Sequence, residues 1–582
     1  MSKTAHTKLG QFSATAIAGN DILSSCLYVC GFTALFAGIY APLIFLVIVL
    51  ILFFYKHVYT EVVEALPLNG GAYNCLLNAT SKTLAAVAGV MTILSYVATA
   101  VISAKTGSEY LNTVISIPVL LVTALIITGF AILTILGVKD SAKVAKLIFI
   151  LHIVTLSIFI VVGLISVAHH GPVLLSDAWE KTQVLFQQNG AFKMLFLALA
   201  ASMLGITGFE SSANFVEEQA PGVFRKTLRN MLIGVWLLNP IITFVILSSL
   251  DLSTITNVKD FVLAASAFAI GGHPLQYLVV ADAFLVLSGA VLASFVGATG
   301  LLYRMTLDHC LPSSLLLPKL RQRNANANRI IIAFALLALS ILVITRGNLV
   351  SLAGVYTISF LGVMTSFALG NLVLRKTRPD LKRTYQGPII FVILAALATT
   401  AGIVGNILID AHNILYFAIY FVPALILVQL MIYRDYVLEA LLQLNSRVPL
   451  IHRQLEPWFD HVVKPRIILF AHHPHKLYRS LEYIRKNETS RNIVVVFCTE
   501  ETEKTKNLLS KFSEYIEVFK DAQVFPHLHI ELLIEKEQPF GPEMVKQYAH
   551  RFHITRNNIF IGSIHDSHPF SFEELGGVRI IQ

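Results

Sequence analysis

Asp21 stands in the run Ala18-Gly-Asn-Asp-Ile-Leu-Ser-Ser-Cys-Leu-Tyr28, inside the first long apolar segment of the chain. An ionised carboxylate in hydrocarbon is costly unless it meets a cation, a proton or water. A carboxylate kept there points to cation handling, against the plainer reading of a buried Asp that caps a helix break. Gly19-Asn20 is expected to interrupt the helix, with Ser24, Ser25 and Tyr28 adding oxygens near the break.

The sixth apolar segment repeats this recipe. Gly205-Ile-Thr-Gly208-Phe-Glu210-Ser-Ser-Ala-Asn214 combines a glycine break, hydroxyls and one carboxylate. If the first ten segments are two inverted halves of five, the sixth corresponds to the first, and both interruptions fall near the bilayer midplane. The third segment carries Lys105, Glu109, Tyr110 and Thr113. A spacing of four puts Glu109 and Thr113 on one helical face, and it equally puts Lys105 beside Glu109. Whether Lys105 neutralises Glu109 or snorkels to the interface stays open at this level. Tyr356, in Gly354-Val-Tyr-Thr-Ile-Ser359 of the tenth segment, and Asp282 in the eighth are further polar groups within apolar sequence, Asp282 in second rank.

The elements that must position these residues follow from composition. Of 582 residues, 55% are hydrophobic and only 14% charged, too apolar for a soluble globule, so the chain reads as an all-α polytopic membrane protein seated in a lipid bilayer. Apolar runs of about 18 residues or more number twelve, at 12–38, 41–66, 83–112, 118–136, 144–168, 191–217, 230–250, 274–304, 329–346, 349–374, 388–409 and 413–436. The segment 253–272 is too interrupted to cross and reads as an extracellular surface helix. The net charge of +9 collects in particular loops, including Arg225, Lys226 and Arg229, then Lys319, Arg321 and Arg323, then Arg375, Lys376, Arg378, Lys382 and Arg383. Such clustering is topogenic and does not indicate nucleic-acid binding; it predicts a multi-pass protein of the plasma (inner) membrane with both termini cytoplasmic. Met1 to Gly10 lacks a signal-peptide pattern, so the first segment is expected to stay in place. The five cysteines show no metal spacing, and Cys26 and Cys30 read as apolar filling.

Residues 1–437 thus form a transporter-like helical domain, and 438–582 a second one in which charges become frequent. Strands are predicted at Ile467–Phe470, Ile493–Phe497, Ile530–Ile534 and Ile559–Ile561, with helices near 476–486, 504–519 and 542–552 between them, the order of a small doubly wound α/β domain in the cytoplasm. It contains no G-x-G-x-x-G or P-loop, so no cofactor is expected, and Gly576-Gly577 reads as a turn. His472, His473 and His475 read as a solvated loop ahead of a zinc site. No nucleophile–base pattern or metal cluster supports an enzyme.

Pro67 with Gly70-Gly-Ala-Tyr73, Gly137-Val-Lys-Asp-Ser-Ala142, and Gly208-Phe-Glu210 with the later Pro221 and Arg225 resemble signatures of the amino acid–polyamine–organocation (APC) superfamily. The resemblance implies a LeuT-like fold of two inverted five-helix repeats plus two further helices, twelve transmembrane helices in all. Within that superfamily the chain resembles KUP-type potassium importers of the KimA kind, which also carry a cytoplasmic α/β domain of universal-stress-protein type. That likeness implies potassium ligands at Asp21, Tyr28, Glu109, Tyr110, Thr113, Thr207 and Tyr356, a proton-coupling carboxylate at Glu210, and a homodimer paired through the cytoplasmic domain. Glu109 stands where those importers carry Asp, and Lys105 puts a second cation beside it.

A fixed carboxylate at Asp21 would repel an amino acid's carboxylate and suit a bare cation or a polyamine. The first expectation is therefore proton-coupled potassium uptake by alternating access. The alternative is a proton-coupled amino-acid or polyamine permease, whose cargo is a small molecule.

Overall fold

The computed structural model describes residues 8–67, 69–136, 141–170, 173–315, 328–379, 381, 383–444, 459, 463–471, 474–498, 510–511, 513–519, 524–525, 528–535, 540–561, 575 and 578–580. The apolar runs become helices because a helix satisfies every backbone N–H and C=O within its own segment, which a bilayer demands. In chain order they are α1 (Gln11–Ser24), α2 (Cys26–Ala37), α3 (Ala41–Ala65), α4 (Gly71–Ala79), α5 (Lys82–Asn112), α6 (Val119–Leu136), α7 (Ser141–His170), α8 (Val173–Asn189), α9 (Ala191–Ser202), α10 (Val223–Ser249), α11 (Leu252–Asn257), α12 (Val262–Leu307), α13 (Asn328–Ile344), α14 (Leu349–Thr377), α15 (Ile389–Ile409), α16 (His412–Ile432) and α17 (Arg434–Leu444). Each apolar run read from the sequence holds a helix. Among the described residues ten helices are long and apolar enough to cross a membrane, with Gln11–Ala65 counted as one continuous run and Asn328–Ile344 falling short.

Two compact units emerge, one of Met1–Thr80, Val87–Arg304 and Ser314–Leu425, the other of Ser81–Ala86, Met305–Ser313 and Ile426–Gln582. In the first, α1 packs on α7 and α10, α3 on α10 and α15, and α14 on α4 and α15. Leu121, Leu125 and Leu136 of α6, Leu397 and Leu408 of α15 and Leu415 of α16 are exposed large apolar groups, an outer surface suited to acyl chains.

The segment expected to lie on the surface at 253–272 does otherwise. Asp251 caps α11 by accepting from the backbone N–H groups of Ser253 and Thr254. A 3₁₀ turn over Lys259–Phe261 then leads into α12, whose Val262, Leu263, Ala264 and Ala267 are fully buried. Gly272, at φ +66°, kinks α12 just before Pro274, a residue suited to the first turn of a restarted helix.

The second unit holds a parallel five-stranded sheet in the order β3-β2-β1-β4-β5, with β1 Arg466–Phe470, β2 Asn492–Cys498, β3 His529–Glu535, β4 Ile559–Ile561 and β5 Arg579–Ile580. The alternating side chains of β1 and β2 feed two cores. Ile467, Leu469, Val495 and Phe497 pack with Leu477 and Leu481 of helix Pro474–Asn487, while Ile468, Phe470, Val494 and Val496 pack with Met544 and Val545 of helix Pro542–Arg551. Helices on both faces explain why the strands read as continuous apolar runs. Residues 504–509 and 512 of the second expected helix, Gly576-Gly577, His472 and His473 lie outside the described residues.

This unit also contains a buried charge network. Lys82 Nζ lies 3.2 Å from Glu488 Oε1, Arg579 Nη1 lies 2.7 Å from the same oxygen, and Arg579 Nε lies 3.4 Å from Asp308 Oδ1. Burial works against the Glu488 charge, but Arg579 and Lys82 hold its carboxyl below the usual carboxylate range. Next to Asp308, partly buried His309 faces Asn558 at 3.2 Å. Burial and the Lys82 charge push its pKa down to about 4.

Candidate functional site

The first interruption lies later than the glycine suggested. The helix α1 runs unbroken through Gly19, Asn20 and Asp21 and ends at Ser24, and Ser25 makes the joint. Gly19 serves close packing, because a Cβ there would come within 2.7 Å of the Phe149 ring on α7. Asn20 Nδ2 donates to Ala145 O of the same helix at 2.8 Å. At the joint, the Ser24 hydroxyl donates to Asp21 O at 2.9 Å and the Ser25 hydroxyl to Ile22 O at 2.6 Å, two local bonds that compete with the helical ladder.

The second interruption is where the sequence placed it. After α9 the chain tightens into a 3₁₀ turn over Met203–Ile206, extends at Thr207, turns left-handed at Gly208 with φ +89°, and resumes as a 3₁₀ segment over Phe209–Phe215. Only glycine enters this geometry without penalty.

The two joints meet. A Cβ on Gly208 would lie 2.8 Å from both the Asp21 carboxyl carbon and the Ile22 backbone nitrogen, so the backbone there touches α1 directly. Ser211 donates its hydroxyl to Asp21 Oδ2, and Ser25 Oγ lies 3.3 Å from Gly205 O.

Five of the residues singled out in the sequence converge here. The Thr207 hydroxyl, which donates to Leu204 O at 2.7 Å, is flanked by the hydroxyls of both Tyr28 and Tyr356. Asp21 and Glu210 lie close enough for each charge to act on Tyr356. Glu210 is buried against the backbone N–H groups of Gly208 and Glu210 itself, with Oε2 left without a hydrogen-bond partner among the described residues.

The third segment contributes differently. Tyr110 donates to Leu27 O at 2.6 Å, gripping α2 just past the first joint. Glu109 is paired with Lys105, its neighbour one helical turn earlier. Lys105 and Glu109 both act on Asp260, and a Cβ on Gly347 would lie 3.1 Å from Lys105 Cε, which puts the pair beside the turn preceding α14. Thr113, beyond the end of α5, donates to Tyr110 O at 2.6 Å. Helical spacing was correct for these residues, but it favoured mutual neutralisation over a shared face toward the joints.

Other residues of the site were missed in the sequence. Ser211 was hidden among ordinary hydroxyls, and its distance in sequence from Asp21 left no local signal. Tyr59 packs between Phe209, at 5.9 Å, and Phe367, stacked at 4.2 Å, and its buried hydroxyl has no hydrogen-bond partner among the described residues. Tyr96 accepts from Asn214 Nδ2 at the far end of the 3₁₀ segment. The result is a buried cluster of two carboxylates and several phenols where the Ser25 turn meets the 3₁₀ segment. It can hold a positively charged group on Asp21 and move a proton on or off Glu210. Among the described residues no group of three or more His, Cys, Asp or Glu is placed to bind a metal ion.

The branched-chain amino acid permease BcaP of Bacillus subtilis (strain 168) is 23% identical over 424 residues, covering 66% of this chain and 84% of that protein. A solved chain described as the substrate-bound outward-open state of a Na+-coupled sialic acid symporter is 14% identical, with a TM-score of 0.46, over 69% of this chain and 91% of that one. The amino acid permease family model matches residues 9–431, a span containing both joints and every residue of the cluster, and the chain belongs to that family.

Proposed function

We propose that this permease is a proton-coupled secondary transporter of amino acids or related amines, crossing the membrane twelve times with both termini cytoplasmic and built as two inverted five-helix repeats. It is a transporter and not an enzyme. The observation that carries the reading is the contact of the two joints through Asp21, Gly208 and Ser211. An ammonium group is the natural partner of Asp21, in a cluster whose Tyr28, Thr207 and Tyr356 hydroxyls supply further oxygens. The backbone N–H groups at the start of the 3₁₀ segment are the seat a substrate carboxylate needs, and Glu210 occupies it. A proton on Glu210 removes the repulsion there, so proton and zwitterion enter together and the interrupted helices rock around them.

The family match favours an amine-bearing substrate over potassium, the cation first expected from the sequence. A thermal-shift screen of the purified full-length protein against amino acids, polyamines, potassium, rubidium and sodium tests this, because a ligand bound only by the folded state raises stability by mass action. Stabilisation by an amino acid or polyamine, lost in Asp21→Asn, supports the proposal. Stabilisation by potassium or rubidium alone restores the importer reading.

A further inference from the structure

Away from that cluster, His152 Nδ1 on α7 lies 2.7 Å from Asp282 Oδ2 on α12, with side chains 0% and 1% exposed. Their remaining polar atoms, His152 Nε2 and Asp282 Oδ1, have no hydrogen-bond partner among the described residues, nor does the buried hydroxyl of Thr155 one turn along from His152. A buried pair serving structure alone would satisfy those atoms, since each orphaned group carries a desolvation cost.

We infer that the His152–Asp282 pair is a second proton-binding site of the transporter, separate from Glu210. The inference rests on the transporter reading. With one proton shared between them, the two side chains are together neutral. Without it they leave a single negative charge in the membrane interior, which the bilayer penalises until another proton arrives. Among the described residues, His152 is the ion-pair partner of Asp282. Asp282 acts on Cys26 of α2 and Tyr110 of α5, both neutral when protonated; α2 also carries Tyr28 and Cys30, and α5 carries Lys82, Tyr96 and the mutually paired Lys105 and Glu109. The titratable residue of α1 is Asp21, and α10 has none after Arg229. On α7 itself Lys143 and Lys146 stand earlier in the helix and His169 and His170 at its end, and on α12 the other titratable groups are His273, Tyr277, Tyr303 and Arg304.

The pair is also placed to influence the joint. Cys26 follows Ser25 directly, and Tyr110 holds Leu27 O. A charge appearing on Asp282 therefore acts on the two residues that position α2 after the break.

The test is the proton-to-substrate stoichiometry of the full-length protein in sodium-free proteoliposomes. Membrane potential is held at zero, and radiolabelled L-amino acids are the probe. His152→Gln and Asp282→Asn are each expected to lower steady-state accumulation about tenfold per pH unit of gradient, the loss of one proton from the cycle. Counterflow at equal pH should stay within about twofold of wild type, a split expected of a lost coupling proton. Unchanged accumulation in both variants overturns the inference. If wild type shows no counterflow at all, the transport reading itself has failed, a separate outcome. Should both variants misfold, histidine NMR of the labelled wild-type protein decides. A protonation change at His152 between pH 5 and 9 supports the site, and a constant state overturns it.

Discussion

Gly208 packs directly against the Asp21 carboxyl group, so near that any Cβ at 208 would press within 2.8 Å of the carboxyl carbon. The two interrupted segments are therefore joined through the carboxylate at their junction.

Gly208→Ala is expected to abolish uptake. The left-handed backbone costs a non-glycine residue about 1–2 kcal/mol, and the methyl group displaces Asp21. Uptake should fall at least tenfold while the melting temperature drops by only a few degrees. Normal uptake with normal melting would show that the joints can separate without loss.

Glu210→Gln keeps the shape of the acid and removes its proton. The substrate KM, which should rise with pH in wild type as Glu210 loses its proton, is expected to become flat between pH 5.5 and 8. A pH-dependent KM surviving in Glu210→Gln would assign that titration elsewhere.

Lys105 and Glu109 should behave as a unit. Breaking a largely buried pair leaves one charge uncompensated, so Lys105→Met and Glu109→Gln are each expected to destabilise by roughly 2 kcal/mol, and the double substitution to recover most of it. Thermal melts of the three variants check this, and additive losses would count against a coupled pair.

His309 makes the second unit sensitive to acid. Its folded pKa, about 4, lies below the unfolded value near 6.5. The unfolded chain thus binds more protons between these values, and stability falls as pH drops from about 6.5 toward 4. His309→Gln should flatten that acid limb by an amount on the order of 2 kcal/mol, read as melting temperature against pH for the full-length protein. An identical limb in the variant would exclude His309 as its source.

The helices and the sheet were legible in the sequence because lipid and the faces of a covered parallel sheet both demand long apolar runs, as in α6 or β2. The second joint was legible too, since Gly208 lies where the backbone must turn left-handed. The first was misplaced, because a glycine in a membrane helix marks close packing as readily as a break: Gly19 makes room for Phe149, and the serines divert the ladder. The His152–Asp282 pair was half visible. Asp282 stood out in apolar sequence, but its partner lies 130 residues away, a distance that no local pattern spans.

The entry to α1 is tied to the exit of the second interrupted segment. Leu9 N donates to Glu218 O at 2.7 Å and Ala220 N to Leu9 O at 3.0 Å, a short parallel bridge between the two chain stretches. These two bonds link the residues just ahead of α1 to those just after the 3₁₀ segment. Leu9→Pro removes one of the two, the Leu9 N–H donor, and should raise the substrate-independent proton leak measured in proteoliposomes; a leak equal to wild type would count against a gating role for this clasp.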